Sequence, residues 1–422
     1  MASYWLETLG CPKNQVDSDK LAGALALEGY GRAEEAGSAD LVVVNTCAFI
    51  EAAREESVAA VFEMAGAKKQ GARLVVTGCL AERYGEELAG ALPEVDQVAG
   101  FGVAFWDRAG APSAAPVSFR RSRFDLLELP RPAAGAPWAY VKIAEGCDRR
   151  CGFCAIPTFR GRQRSRSREA VLAEVGRLDA EEVVLVAQDP VSWGRDARGG
   201  AGGHGELAAL VRDVQELVER VRLLYLYPSG LTDELVDAMG GCPYFDLSLQ
   251  HVSRPLLRRM RRYGESERFL ERISYIRRRF PEAALRSSFI IGYPGETEED
   301  QDLLLSFLEE AQLDWAGFFA FSPEEGTYAA SLPGQAPAGL VAERARECSE
   351  VQDAITASRR AALVGTKCRA LVDAASEARS HREAPEIDGV INVPPGLAPG
   401  SWVELEITGS EGPDLFGEPV GR

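Results

Sequence analysis

The chain reads as a multidomain α/β protein: a small doubly wound parallel sheet first, a partial barrel of six βα units in the middle, and a small antiparallel β-barrel at the end. Three observations predict this. Strand-like and helix-like stretches alternate up to about residue 105, the same rhythm returns from Trp138 to about residue 330, and the remainder gives a helical stretch followed only by short β-like runs. With 422 residues and 46% hydrophobic content, the chain can bury several cores.

In the first domain, residues 1–105, Ser3 to Leu9, Leu41 to Thr46 and Arg73 to Thr77 read as strands; Ser18 to Leu27, Ile50 to Gln70 and Glu82 to Leu92 read as helices. A cysteine closes each strand: Leu9-Gly10-Cys11, Asn45-Thr46-Cys47 and Thr77-Gly78-Cys79. Parallel strands end on one edge, so three thiols far apart in sequence can converge there. Gly10 and Gly78 suit tight turns beside two of them. Residues 106–137, with Ala111-Pro-Ser-Ala-Ala-Pro116 and Leu129-Pro-Arg-Pro-Ala-Ala-Gly-Ala-Pro137, read as a linker carrying one short strand.

The central domain, residues 138–365, shows strand-like runs at Trp138 to Ala144, Glu182 to Ala187, Arg222 to Tyr227, Phe245 to Leu249, Leu285 to Ile291 and Trp315 to Phe321. Helical periodicity fills Ser167 to Leu178, with Ser167 as N-cap, and then Leu207 to Val218, Glu298 to Ala311 and Ala338 to Leu363. Six units leave open a barrel that eight would close, so a bulky substrate can reach the strand ends. The glycine-rich run Arg198 to Gly205 reads as surface loop, with His204 in solvent. Lys367 to Val372, Gly389 to Val393, Trp402 to Ile407 and Phe416 to Val420 make the small barrel of residues 366–422.

The chemistry concentrates in Cys147-Asp-Arg-Arg-Cys151-Gly-Phe-Cys154, at the carboxyl end of the first central strand. Three thiolates are one short of the four that close a structural zinc site or fully ligate a 4Fe-4S cluster. The spacing favours an iron-sulfur cluster over zinc with a distant fourth ligand. Gln188-Asp189, Gln250-His251 and Gly292-Tyr-Pro-Gly-Glu-Thr297 put polar groups at other strand ends, where barrel chemistry belongs. Cys242, Cys348 and Cys368 stand in no metal-like spacing and read as structural.

The C-x-x-x-C-x-aromatic-C pattern, with Phe153 at the aromatic position, resembles the radical S-adenosylmethionine (SAM) superfamily. That resemblance implies a cluster on Cys147, Cys151 and Cys154 as the catalytic centre, whose open iron chelates SAM and cleaves it to a 5'-deoxyadenosyl radical. Gly292-Tyr-Pro294 resembles the turn that supports the SAM adenine. Phe153, Gln188, Gln250, Gly292 and Pro294 are therefore the expected SAM contacts. The superfamily's Gly-Gly-Glu element is absent, and Gln188 occupies roughly its place. The last domain resembles a TRAM domain.

With the two cysteine triads, the domain order resembles the methylthiotransferase family, with a flavodoxin-like N-terminal sheet. Cys147 to Gly161 is most similar to the branch that modifies the β-carbon of an aspartate in small-subunit ribosomal protein twelve; the tRNA-modifying branch is the nearest rival. The resemblance implies two 4Fe-4S clusters, the second on Cys11, Cys47 and Cys79 to supply or relay sulfur, together with SAM, a sulfur donor and an external electron donor.

A net charge of -17 opposes non-specific nucleic-acid binding and favours a basic partner protein. The last 57 residues carry ten acidic against five basic side chains, the reverse of what phosphate contacts need. The arginines from Arg160 to Arg168 can neutralise a SAM or substrate carboxylate; those from Arg258 to Arg262 suit either a solvated helix face or a contact to ribosomal RNA. A non-catalytic electron carrier and an RNA-binding module are the remaining alternatives. No apolar run reaches eighteen residues, the N-terminus lacks a signal-peptide pattern, and nine cysteines suit a reducing compartment, so a cytoplasmic protein without a membrane segment is expected.

Overall fold

The computed structural model describes residues 1–106, 124–196 and 205–421. The expected short strand in the linker, where it would fall within 107–123, and most of the glycine-rich loop with His204 lie outside the described residues. Contacts divide the chain into two compact units.

The first unit comprises Met1–Pro132, Ala144–Asp148 and Cys154–Arg166. Its strands are β1 (Ser3–Thr8), β2 (Gly31–Arg32), β3 (Leu41–Thr46), β4 (Arg73–Gly78) and β5 (Gln97–Val98), all parallel in the order β2-β1-β3-β4-β5. Helices α1 (Pro12–Leu27), α2 (Glu51–Ala67) and α3 (Cys79–Ala91) connect them. Every residue of β3 is buried, as an interior parallel strand covered on both faces requires. Val42, Val44, Leu74 and Val76 pack with Val61, Met64 and Leu88, while Val43 and Val75 pack with Tyr4, Leu21 and Leu25. The alternation thus supplies two cores from the same strands. Helix α1 begins six residues earlier than its apolar pattern, because Pro12 is pre-set for the first turn and Lys13, Asn14 and Asp17 are buried there despite being polar. Later in this unit, Ala144–Glu145 pairs antiparallel with Arg164–Ser165, and Ile156–Arg160 forms a short helix.

The second unit comprises Ala133–Ile143, Arg149–Phe153 and Ser167–Arg422. Its parallel strands are β6 (Trp138–Lys142), β7 (Glu182–Val186), β8 (Arg220–Leu223), β9 (Tyr244–Gln250), β10 (Ala284–Ile291) and β11 (Trp315–Ala320). They lie in sequence order as two three-stranded sheets, joined by a single parallel bridge from Leu226 to Leu247. This is the expected six-stranded partial barrel. Strand β8 starts two residues before its expected position and stops at Leu223; Tyr225 has φ +65°, which breaks the ladder. Helices α4 (Arg168–Val175), α5 (Glu206–Gln215), α6 (Asp233–Ala238), α7 (Arg254–Arg259), α8 (Ser266–Arg279), α9 (Glu298–Ala311) and α10 (Ala338–Ala361) follow the strands. Ser167 caps α4 by accepting from Ala170 N at 3.1 Å.

A closed barrel of β12 (Lys367–Ala374), β13 (Glu377–Arg379), β14 (Ile391–Asn392), β15 (Trp402–Glu411) and β16 (Asp414–Pro419) ends the chain. It departs from the antiparallel expectation at one place: β14 pairs with β16 in parallel. Strand β13 carries no apolar alternation of its own. Buried arginines and one buried glutamate fasten this barrel to the central strands. Glu182 of β7 accepts from Arg222 Nε and Arg379 Nη1, both at 2.9 Å, and from Arg220 Nη1 at 3.4 Å. Tyr244 donates to Asp388 at 2.6 Å, and Trp315 Nε1 to the Arg382 carbonyl at 2.9 Å. Among the described residues, no helix is long and apolar enough to cross a membrane.

Candidate functional site

Strands β1, β3 and β4 are neighbours in register, with Thr8 opposite Asn45 and Thr46 opposite Gly78, so their carboxyl ends share one edge. Cys11 precedes α1, Cys47 follows β3, and Cys79 opens α3. Both glycines beside this edge are required by shape. Gly10 has φ +92°, and a Cβ there would stand 2.9 Å from Cys47 Sγ; Gly78 has φ +92°, and its Cβ would meet Asn45 Oδ1 at 2.3 Å.

Polar side chains hold the edge together. Asn14, one turn after Cys11, donates to the carbonyls of Leu9 at 2.9 Å and Thr46 at 3.0 Å, tying the ends of two strands. Ser57 of α2 clamps the Cys47 backbone, accepting from its N–H and donating to its carbonyl, each at 2.9 Å. The three thiols do not titrate alike. Burial raises all three, but at Cys11 it is overcome by the charges of Lys13 and Arg160 and by backbone N–H groups at the start of α1, so that thiol is held below its ordinary range. Burial, then repulsion from Cys11 and Cys79, pushes Cys47 up to about 12. Cys79 is also raised, by burial first, against the pull of Arg160.

These residues fit a cluster. Three thiols brought to one edge by neighbouring strands match a cubic cluster, whose thiolates each meet a different iron.

Sequence reasoning missed Arg160. The arginine-rich run from Arg160 was expected at a SAM or substrate carboxylate; instead Arg160 is buried in the first unit. There it donates from Nη2 to Cys79 Sγ at 3.1 Å and Asn14 Oδ1 at 2.7 Å, and from Nη1 to Asp17 at 3.2 Å and Glu145 at 2.9 Å. Its guanidinium lies 4.4 Å from the Phe101 ring centroid. The available signal was the polar first turn of α1, where Asn14 and Asp17 recur three residues apart after Cys11.

The second triad is divided between the units: Cys147 and Cys154 belong to the first, and Cys151 and Phe153 to the second. In the first, Cys147 N donates to the Gly161 carbonyl at 3.1 Å, and Gly146, at φ +76°, passes too close to Arg162 O for any Cβ. In the second, Gly152 is held between the Met260 carbonyl and Ala329 N, both at 2.8 Å, and a Cβ on it would stand 2.9 Å from Tyr293 Oη. Arg262 donates from Nη1 to Cys151 Sγ at 3.2 Å and lies over the Tyr227 ring at 4.3 Å. Arg149 pairs with Asp189 at 2.6 Å and lies over the same ring at 3.8 Å.

The Arg258–Arg262 run is therefore not a uniform solvated face. Arg262 turns to a cysteine, and Arg259 donates to the Pro294 carbonyl at 3.1 Å.

The remaining expected contacts lie at the carboxyl ends of strands in the second unit. Gln188 follows β7 beside Asp189, and Gln250 ends β9 at φ +72°. Gly292 and Pro294 follow β10, where Gly292 N donates to Glu296 Oε2 at 2.9 Å. Burial pushes His251, beside Gln250, down to about 4, so it is neutral; its Nε2 is 3.9 Å from Glu296. Cys242 and Cys348 are buried thiols.

Three family descriptions match this chain in succession: Uncharacterized protein family UPF0004 over residues 3–100, Radical SAM superfamily over 141–308 and TRAM domain over 364–420. A ribosomal protein uS12 methylthiotransferase RimO from Moorella thermoacetica is 42% identical over 424 residues, covering 95% of each chain. One from Kineococcus radiotolerans is 39% identical, covering all of this chain and 98% of that one. Among solved structures, the radical SAM methyltransferase TsrM from Kitasatospora setae aligns at TM-score 0.48 and 16% identity, over 78% of this chain and 77% of that chain.

Proposed function

This chain belongs to the family of ribosomal protein uS12 methylthiotransferases, and from that membership we propose that it inserts a methylthio group at the β-carbon of an aspartate in uS12. It is a radical SAM enzyme whose cofactors are two 4Fe-4S clusters and SAM. The observation that carries the reading is the pair of cysteine triads, each one thiol short of full cluster ligation, in a chain similar over its whole length to enzymes of that name. We assign Cys147, Cys151 and Cys154 to the cluster that holds SAM, with Phe153, Gln188, Gln250, Gly292 and Pro294 around the SAM, and Cys11, Cys47 and Cys79 to the second cluster. Domain limits at 1–105, 138–365 and 366–422 go with that assignment.

When bound, the clusters and SAM supply one-electron chemistry and a foothold for sulfur that side chains lack. The chain's own groups bind and orient. Arg262 keeps a donor on Cys151, and Arg149 is fixed by Asp189. The Gly292 turn is pinned by Glu296, which Arg344 holds at 2.9 Å. Neutral His251 adds no charge beside that turn. No base on the protein is suited to an unactivated carbon at neutral pH, which is why the reaction needs a radical route.

An acidic chain meeting a basic ribosomal protein agrees with this substrate. In this reading a sulfur donor and an external electron donor serve the reaction, the compartment is the cytoplasm, and the exposed Arg258 and Arg261 are side chains of the arginine run that could meet ribosomal RNA.

The test is anaerobic incubation of the reconstituted protein with SAM, reductant and sulfide, with uS12 and a tRNA offered separately and products read by mass spectrometry. A methylthio group on an aspartate of uS12 is expected. A modified adenosine in the tRNA would overturn the substrate assignment, and 5'-deoxyadenosine with neither product would leave the radical chemistry without this substrate.

A further inference from the structure

We propose that Arg160 is a positioning residue for the N-terminal cluster, holding an N–H on the Cys79 sulfur and setting how easily that cluster is reduced. The inference rests on the assignment of a cluster to Cys11, Cys47 and Cys79. Its ground is the division of labour across one guanidinium. The Nη1 edge is anchored by two carboxylates, Glu145 at 2.9 and 3.0 Å and Asp17 at 3.2 Å. The Nη2 edge is thereby aimed at Cys79 Sγ, 3.1 Å away, and steadied there by Asn14 Oδ1 at 2.7 Å. The Arg160 side chain is 3% exposed, so water does not screen its charge from the thiols.

A buried arginine with four polar partners is costly to desolvate and does nothing for packing that a leucine would not do more easily. What an arginine adds is a fixed, permanently charged donor at sulfur. Hydrogen bonds to cluster sulfurs and the net charge around them are among the levers that set an iron-sulfur potential. Both act here in one direction: a cation donating to a cluster thiolate favours the reduced, more negative cluster.

Glu145 stands two residues before Cys147 and Arg160 six after Cys154, and within the first unit the two pair beside Cys79.

The experiment uses the full chain with Cys147, Cys151 and Cys154 all changed to Ala, so that only the N-terminal cluster remains, and measures iron content and midpoint potential by EPR-monitored titration with Arg160, Arg160→Met or Arg160→Lys. With Arg160→Met, iron is retained and the one-electron reduction equilibrium moves tenfold or more toward the oxidised form, 59 mV more negative. Arg160→Lys, which keeps the charge and loses the fork, recovers part of that shift. An unshifted potential in a fully loaded Arg160→Met protein overturns the proposal. So does loss of iron from both variants while the fold is retained, since a cation alone should then have sufficed to load the site. Should Arg160→Met alone fail to load, Arg160→Lys carries the test and must load with a shift of the same sign. A triple-alanine protein that binds no iron overturns the cluster assignment and this inference with it; one that loads but ignores Arg160 overturns this inference alone.

Discussion

Replacing Glu182 by Gln tests the polar fastening between the C-terminal barrel and the central strands. The carboxylate is fully buried and faces Arg220, Arg222 and Arg379, each of which also donates to backbone carbonyls of the small barrel: Arg220 to Ser380 O at 3.0 Å, Arg222 to Glu383 O at 2.9 Å, and Arg379 to Glu383 O at 3.2 Å. Burial works against the charge, but the three arginines prevail, and the Glu182 carboxyl is held down at about 2 against its ordinary 4.5. That difference corresponds to roughly 3 kcal/mol of preference for the charged form. Removing one partner of a buried ion pair costs about 3–5 kcal/mol, because the partners left behind stay buried. Glu182→Gln is therefore expected to lower unfolding stability by about 3–5 kcal/mol, against about 0–1 kcal/mol for Glu234→Gln, whose pair with Arg212 is half exposed.

Urea titration of the full chain by tryptophan fluorescence reads this directly, since Arg220 lies 4.5 Å from the Trp402 ring centroid and Arg379 5.9 Å from that of Trp138. The pH dependence has a definite sign. A carboxyl lowered by folding contributes stability that is fully present above pH 4.5 and lost as pH falls toward 2, so the gap between wild type and Glu182→Gln should close over that window. A gap below about 1 kcal/mol at neutral pH, or one that does not narrow in acid, would mean that the Glu182 charge does not fasten the barrel.

Two further substitutions follow from the sites. Gly78→Ala adds a Cβ 2.3 Å from Asn45 Oδ1 at a φ of +92°, so about 1–3 kcal/mol of strain is expected, together with reduced iron on the N-terminal triad and unchanged iron on the other, read by metal analysis in the matching triple-alanine backgrounds. Arg262→Met removes the donor on Cys151 at 3.2 Å, and the cluster expected on that triad should become harder to reduce without losing iron; an unchanged potential would count against the contact.

How much of this was visible in the sequence depends on how local each signal is. The strand-end cysteines, the six central strands and the Ser167 cap follow from period and turn chemistry within a few residues, and the strand order then brings the ends of β1, β3 and β4 together. The first turn of α1 escaped because Lys13, Asn14 and Asp17 are buried by the site they serve, which erases the apolar stripe that marks a helix. Strand β8 was displaced for a related reason: Arg220 and Arg222 occupy interior positions, and their partners are Glu182, nearly forty residues earlier, and carbonyls of the small barrel some 160 residues later. Arg160 escaped because the partners that place it at the site are remote, with Cys79 81 residues away and Asp17 143 residues away. No window around Arg160 contains that information. The parallel pairing of β14 with β16 was hidden likewise, because a strand as short as the two residues of β14 carries no register signal.

In the proposed assignment the two triads have separate tasks, one cleaving SAM and the other handling sulfur. Changing Cys11, Cys47 and Cys79 together to Ala in the full chain, reconstituting it, and assaying iron, 5'-deoxyadenosine and methylthiolated uS12 on the same sample tests it most directly. The expected result is about half the wild-type iron, with SAM cleavage retained and methylthio transfer abolished. Methylthio transfer left intact in that protein would mean that Cys11, Cys47 and Cys79 have no part in handling sulfur.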